Sequence, residues 1–243
     1  MPHVADALTA ETIRIAGHGG DEISAYLAQP MGDGPFGGVV VIHHMPGWDR
    51  WSKEVTRTFA AAGYLAICPN LHEREGKGAS PGDSAAAVRA AGGVPDERLV
   101  GDVDGAARHL RSLPSSNGRL GVIGYCSGGR QSFLAACKLP FDFCVDSYGR
   151  IEHAADVAGL RGPLLLILAS DDEKITGWAF SELLPALNHA KRRVDVQVYP
   201  GVRHAFQRPG WEGHEDRAAN DAWQRTLEFL ARVRSETGYL PSA

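Results

Sequence analysis

The chain has no run of five or more basic residues, and its net charge at pH 7 is −4. Binding to a nucleic-acid backbone needs a concentrated cationic face, so no nucleic acid is expected as a partner. No apolar segment reaches the roughly 18 residues of a membrane span, so no membrane partner is expected. The first residues, Met1-Pro2-His3-Val4-Ala5-Asp6, lack a basic start followed by an apolar stretch, and no secretory leader is expected. There are only four cysteines, Cys68, Cys126, Cys137 and Cys144, and no Cys-x-x-Cys pair. That argues against a disulfide framework or a zinc ribbon and fits a reducing cytoplasm. Gly-x-x-x-x-Gly-Lys-Ser/Thr is missing too, which removes the commonest phosphate-binding loop. No internal repeat and no long linker is visible.

What is present is ample core material. Of the 243 residues, 44% are apolar and 22% charged, the balance of a globular protein. Strand-like and helix-like segments alternate. Ile13–Ile15 and Ile23–Leu27, joined across His18-Gly19-Gly20-Asp21, read as a hairpin. The apolar runs Gly38–Ile42, Tyr64–Cys68, Leu120–Ile123, Phe143–Asp146, Pro163–Ala169 and Val194–Tyr199 read as strands. Helices are expected over 53–62, 95–113, 131–139, 179–190 and 215–234. A short helix around Ser84–Ala91 is expected inside the Gly/Ala/Ser-rich stretch 73–94. Inner strands that are apolar without alternation mean a mainly parallel sheet covered by helices on both faces. The expected fold is α/β, one domain over 1–243.

The most informative stretch is Gly124-Tyr125-Cys126-Ser127-Gly128-Gly129, between the strand ending at Ile123 and a helix. Strand, sharp turn and helix, with Gly124 and Gly128 two places either side of Cys126, is the form of a nucleophile elbow. Glycines are needed because strand and helix backbones pass close together there. A cysteine nucleophile needs a base to hold its thiolate, and the base needs an orienting carboxylate. In chain order these elbows are followed by an acid and then a histidine. Asp171-Asp172 follows the strand ending at Ala169, and His204 follows the strand ending at Tyr199. Either aspartate fits by position. His189 and His214 fall on expected helices and fit less well.

With these pieces the chain resembles the dienelactone hydrolase family over about Val39 to Leu230. The resemblance rests on Val39–Gly47 (Val-Val-Val-Ile-His-His-Met-Pro-Gly), Ala66–Leu71 (Ala-Ile-Cys-Pro-Asn-Leu), Gly124–Gly129, Ala169–Thr176 (Ala-Ser-Asp-Asp-Glu-Lys-Ile-Thr) and Tyr199–Phe206 (Tyr-Pro-Gly-Val-Arg-His-Ala-Phe). It implies an α/β-hydrolase fold and hydrolysis of an ester or lactone through a Cys126-His204-Asp172 triad and an acyl-enzyme, without a cofactor. Asp172 is chosen over Asp171 because Ala169 and Ile175 flank it as the family pattern requires. The resemblance assigns the oxyanion hole to the Ser127 and Met45 amides. It places Arg208 at a carboxylate-binding arginine, Tyr148 at a pocket tyrosine, and Ser84 where a second arginine would stand. His44 takes the position of a family glutamate that helps control the resting thiol. Trp48, with Trp51 and Trp211, is a candidate to shape an apolar pocket. The expected partner is a small-molecule ester or lactone, and the expected state a monomer or small homo-oligomer. The competing readings are a thioesterase or acyl transferase with the same triad, a redox-sensing protein that keeps the elbow without turnover, and a metal hydrolase built from His43, His44, His72 and His204. None of these histidines stands in a spacing such as His-x-x-x-His, so no metal is expected.

Overall fold

The computed structural model describes residues 8–76, 78–151 and 154–237. The Met1–Asp6 start lies outside the described residues. The chain packs as two compact units that divide after Gly121.

In the first unit, β1 (Leu8–Ala16) and β2 (Glu22–Pro30) form the expected hairpin, with Ile15 opposite Ile23, and both strands extend beyond the apolar runs that announced them. β2 runs antiparallel to β4 (Leu65–Pro69), which runs parallel to β3 (Phe36–Ile42), giving the order β1-β2-β4-β3. Between β3 and β4 lies α1 (Arg50–Ala61). It starts at Arg50, three residues before the expected Lys53, because the Asp49 carboxylate caps it by accepting the Ser52 N–H. α2 (Pro81–Ala90) also begins three residues early. Pro81 is preset for a first helical turn, and the Ser80 hydroxyl accepts the Asp83 N–H. α3 (Asp96–Ser112) places Asp96 and Glu97 in its first turn and His109 and Arg111 in its last, as the helix dipole favours. β5 (Ser116–Tyr125) runs across the division.

In the second unit, β6 (Phe143–Ser147), β7 (Leu164–Ala169) and β8 (Val194–Tyr199) are parallel and adjacent, with Asp146 opposite Leu166 and Leu166 opposite Val196. Every residue of β6 and β7 is buried, which explains the unbroken apolar run of β7, while β6 ends on the buried polar pair Asp146 and Ser147. α4 (Ser127–Lys138) starts at the elbow itself, four residues before the expected Gln131. The single helix expected over 179–190 is longer and interrupted. α5 (Glu173–Trp178) passes through a π-helical turn at Ala179–Leu183 into α6 (Leu184–His189). Pro185 is the reason: it has no N–H to give the carbonyl one turn back, so the ladder widens just before it. α7 (Asp216–Thr237) closes the unit, with Phe229 edge-on to Phe143 at 6.1 Å between ring centroids.

Gly124 is irreplaceable in this packing. A Cβ there would lie 1.8 Å from the Gly128 carbonyl oxygen, a backbone atom that cannot swing aside. Gly124→Ala should therefore cost about 3 kcal/mol or more, in the range of severe backbone clashes. Thermal denaturation checks this, and a melting temperature within a degree of wild type would contradict it.

Candidate active site

Three chain corners of the second unit meet. Cys126 sits between β5 and α4 with φ 57° and ψ −123°, a left-handed backbone that a residue with a Cβ rarely adopts. Its N–H donates to the Ser147 carbonyl at 2.9 Å, which ties the elbow to the end of β6. The side chain is half-buried, whereas Cys68, Cys137 and Cys144 are buried. His204 lies in the turn after β8 and is followed by Ala205 at φ 61°. Asp172 lies after β7, at the start of α5.

The loops after β7 and β8 are stitched together. The Ser170 N–H donates to the Tyr199 carbonyl and the Asp171 N–H to the Val202 carbonyl, at 2.9 and 3.0 Å. The Gly201 N–H donates to the Ser170 hydroxyl, which donates to the Asp171 carboxylate at 2.8 Å. Sequence reasoning passed over Ser170; its only signal is its place between a buried strand and two acids. With Asp171 engaged in this way, Asp172 is the carboxylate against the imidazole. His204 Nδ1–H donates to Asp172 Oδ2 at 2.5 Å. The other ring nitrogen, Nε2, stands 3.0 Å from Cys126 Sγ.

Burial alone would lower the His204 pKa, but the hydrogen bonds to Asp172 and Cys126 outweigh it and push it up to about 10. The ring is therefore charged at neutral pH and rests against a sulfur. A sulfur beside a proton donor is the arrangement that acyl transfer through a thiol requires. Ser127, the residue after Cys126, is the first of α4, so its N–H is one of the donors a helix start leaves without an intrahelical partner.

Tyr148 is fully buried at φ 45°, with its ring edge-on to His204 at 5.1 Å between centroids. Its hydroxyl has no partner among the described residues, and burial pushes the phenol pKa well up. The positive charge of Arg208 reaches that phenol, and its guanidinium lies 5.0 Å from the ring centre of Trp211.

The remaining candidates belong to the first unit. Trp48 donates its indole N–H to the Cys68 carbonyl at 2.9 Å and carries the Lys53 ammonium 3.8 Å from its ring centre. Met45 is half-buried in the turn after β3. Ser84, where the resemblance would put a second arginine, is spent on α2: its hydroxyl lies within hydrogen-bonding distance of the Gly76 and Ser80 carbonyls. Buried His44 has Nε2 2.8 Å from Asp49 Oδ2, forming a second histidine–carboxylate pair. Burial would raise the Asp49 pKa, but hydrogen bonds from His44 and Ser52 bring it down to about 2. Sequence reasoning missed Asp49; the signal was a capping aspartate three residues before Ser52. His43 accepts the Leu71 N–H at Nε2, which obliges Nδ1–H to donate to the His44 carbonyl. Burial drives its pKa down to about 3, and both nitrogens are taken, so it has no lone pair for a metal. Among the described residues no group of three or more His, Cys, Asp or Glu is placed to hold a metal ion.

Residues 23–234 match the dienelactone hydrolase family. The chain belongs to that family. A Salmonella typhi relative with a provisional carboxymethylenebutenolidase name is 31% identical over 258 residues, which cover 98% of this chain and 93% of the relative. A Pseudomonas putida carboxymethylenebutenolidase is 28% identical over 236 residues, covering 94% and 99%. The crystal structure of a Klebsiella pneumoniae protein, provisionally named a dienelactone hydrolase, superposes with TM-score 0.85 at 27% identity, covering 93% of this chain and 99% of that one. The fold is accordingly the α/β-hydrolase fold of mainly parallel strands, and the chain is a hydrolase of esters or lactones.

The charged His204 predicts selective labelling. Burial pushes the Cys68 and Cys137 thiols up to about 12 and the Cys144 thiol well above its ordinary value. Iodoacetamide at pH 7 should modify Cys126 at least about a hundredfold faster than the other three. Asp172→Asn should slow that labelling about tenfold or more, since one pK unit is a tenfold effect, while Asp171→Asn should change it less than about twofold. Peptide mass spectrometry reads the rates, and equal labelling of all four cysteines would contradict the account.

Proposed function

We propose that the chain hydrolyses a carboxylic ester or lactone through a covalent thioester on Cys126. The observation that carries this reading is the 3.0 Å approach of His204 Nε2 to Cys126 Sγ, with Asp172 on the far ring nitrogen. The Cys126 thiolate attacks the carbonyl carbon, and a C–S bond forms as the carbonyl electrons move to oxygen. The Ser127 N–H receives that oxyanion; one such donor is worth about 3 kcal/mol in other acyl-transfer enzymes. The oxyanion collapses, the C–O bond breaks, and the imidazolium of His204 gives its proton to the leaving oxygen. In a lactone that oxygen stays tethered to the acyl group. The now neutral His204 takes a proton from water, which attacks the thioester; the C–S bond breaks and the thiolate–imidazolium pair returns. Asp172 keeps Nδ1 protonated throughout and balances the charge on the ring.

Arg208 supports a narrower reading, a substrate with a free carboxylate. It stands four residues after His204 and its charge is felt at Tyr148, whose ring borders His204. A guanidinium can hold a carboxylate through two parallel charge-assisted bonds. All four cysteines are free, which supports a reducing cytoplasm as the place of action.

A panel of lactones, aryl esters and thioesters, each with and without a free carboxylate, tests both levels. Cys126→Ala should abolish hydrolysis of every active substrate, and Asp172→Asn should lower kcat about 10²- to 10⁴-fold. Retained turnover in Cys126→Ala would overturn the mechanism. Carboxylate-bearing substrates should exceed their methyl esters in kcat/KM by about tenfold or more, the scale of one charge-assisted bond, and Arg208→Ala should erase the difference. Equal rates for both in the wild type would remove Arg208 from substrate binding.

A further inference from the structure

Asp146 is an acid in the wrong place for an ordinary acid. It lies within β6 at 0% exposure, opposite Leu166 of β7. Its Oδ1 accepts the Gly149 N–H at 2.8 Å, and its buried Oδ2 has no partner among the described residues. The carboxyl fits against two glycines. A Cβ on Gly129, in the first turn of α4, would lie 2.1 Å from Oδ1, and one on Gly149 would lie 2.4 Å from it. A Cβ on Gly149 would also meet the Arg130 amide nitrogen at 2.2 Å. The carboxyl is thus wedged where the start of α4 meets the turn after β6.

That turn serves the proposed catalytic groups. The Ser147 carbonyl, one residue on, accepts the Cys126 N–H, and the Tyr148 N–H donates to the Ile167 carbonyl at 2.7 Å, while the Tyr148 ring borders His204. The Ser132 hydroxyl of α4 lies within 2.7 Å of the Gly129 carbonyl and 3.0 Å of the Val145 carbonyl, pinning the same corner from below. Among the described residues the titratable or charged neighbours at this corner are Cys144 on the same strand, Tyr148 in the turn, Cys126 at the elbow and Arg130 on α4. The influences on Asp146 itself are burial, which raises its pKa, and the Gly149 N–H, which lowers it; among the described residues no cation enters. A lone ionised carboxylate in such a place is costly, and a buried group escapes the cost by holding its proton.

We propose that Asp146 is a positioning residue of the active site, present as a neutral carboxylic acid that wedges Gly129 against Gly149 and so fixes the turn bearing Ser147 and Tyr148. Its part is to hold the receiver of the Cys126 N–H and the ring beside His204, without touching substrate. The claim of an effect on activity rests on the Cys126 mechanism proposed above; the claim of a neutral buried acid does not.

The sign of the pH effect follows from the raised pKa, about 8 in the folded chain against about 3.9 unfolded. Folding then takes up a proton, so this group's unfavourable contribution is absent below pH 4, grows as pH rises from about 4 to 8, and is constant above. Asp146→Asn keeps the shape and cannot ionise. Its melting temperature should gain on wild type between pH 5 and pH 8, by about 5 °C or more. A gap that stays constant over that range overturns the proposal. Against the best substrate of the panel, wild-type kcat should fall as pH passes 8 and the Asp146→Asn kcat should not fall there; superimposable profiles overturn the positioning role. If Asp146→Asn does not fold, difference infrared spectra of the wild-type protein decide: a protonated-carboxyl C=O band at pH 7 that bleaches near pH 8 supports the proposal, and its lack at pH 7 overturns it. Turnover surviving in Cys126→Ala would sink the mechanism and leave the stability and infrared results standing.

Discussion

His204 stays charged at neutral pH only while the backbone keeps Asp172 on one side of its ring and Cys126 on the other. Those two groups come from loops 46 residues apart in the chain. β7 and β8, paired in parallel from Leu164 with Val194 to Ala169 with Tyr199, and the backbone bonds from Ser170 and Asp171 to Tyr199 and Val202 hold Asp172 against His204, while the Cys126 N–H bond to the Ser147 carbonyl holds the elbow to the end of β6. Loosening those loops would leave burial as the dominant influence on the ring, and burial lowers its pKa. The site's electrostatics thus follow from strand register, and strand register follows from the fully buried run Leu164–Ala169.

Three non-glycine residues around the site adopt left-handed backbones: Cys126, Tyr148 and Ala205. Each such residue costs about 1–3 kcal/mol, and such strain persists only where the surroundings over-determine it. Here they do. Gly124 admits the Gly128 carbonyl, Ser147 receives the Cys126 N–H, Ile167 receives the Tyr148 N–H, and Phe206, at 0% exposure, anchors the chain just past Ala205. The strain lets Cys126 Sγ stand clear of the strand and helix that flank it.

Much of this was legible in the sequence because the features are local. An elbow needs small residues at fixed offsets, and the acid and histidine follow strands whose apolar runs are unmistakable. The helix beginning at Glu173 was not legible, because a strand-end acid loop and a helix N-terminus have the same composition. The early starts of α1 and α2 hinge on the side-chain caps Asp49 and Ser80, which a search for apolar periodicity overlooks. The pairing of His44 with Asp49 and the solitude of Asp146 were out of reach. The first needs the path of a turn, and the second needs knowledge that β6 is buried on both faces and brings no donor to Oδ2.

The central claim is that acyl transfer passes through sulfur. Acid-quenched mass spectrometry during turnover of a slow ester measures this directly. The account predicts a mass increase equal to the acyl group, mapped to the peptide containing Cys126, appearing faster than steady-state product and decaying as substrate runs out. Steady turnover with no adduct at any quench time, or an adduct on a different residue, would contradict it.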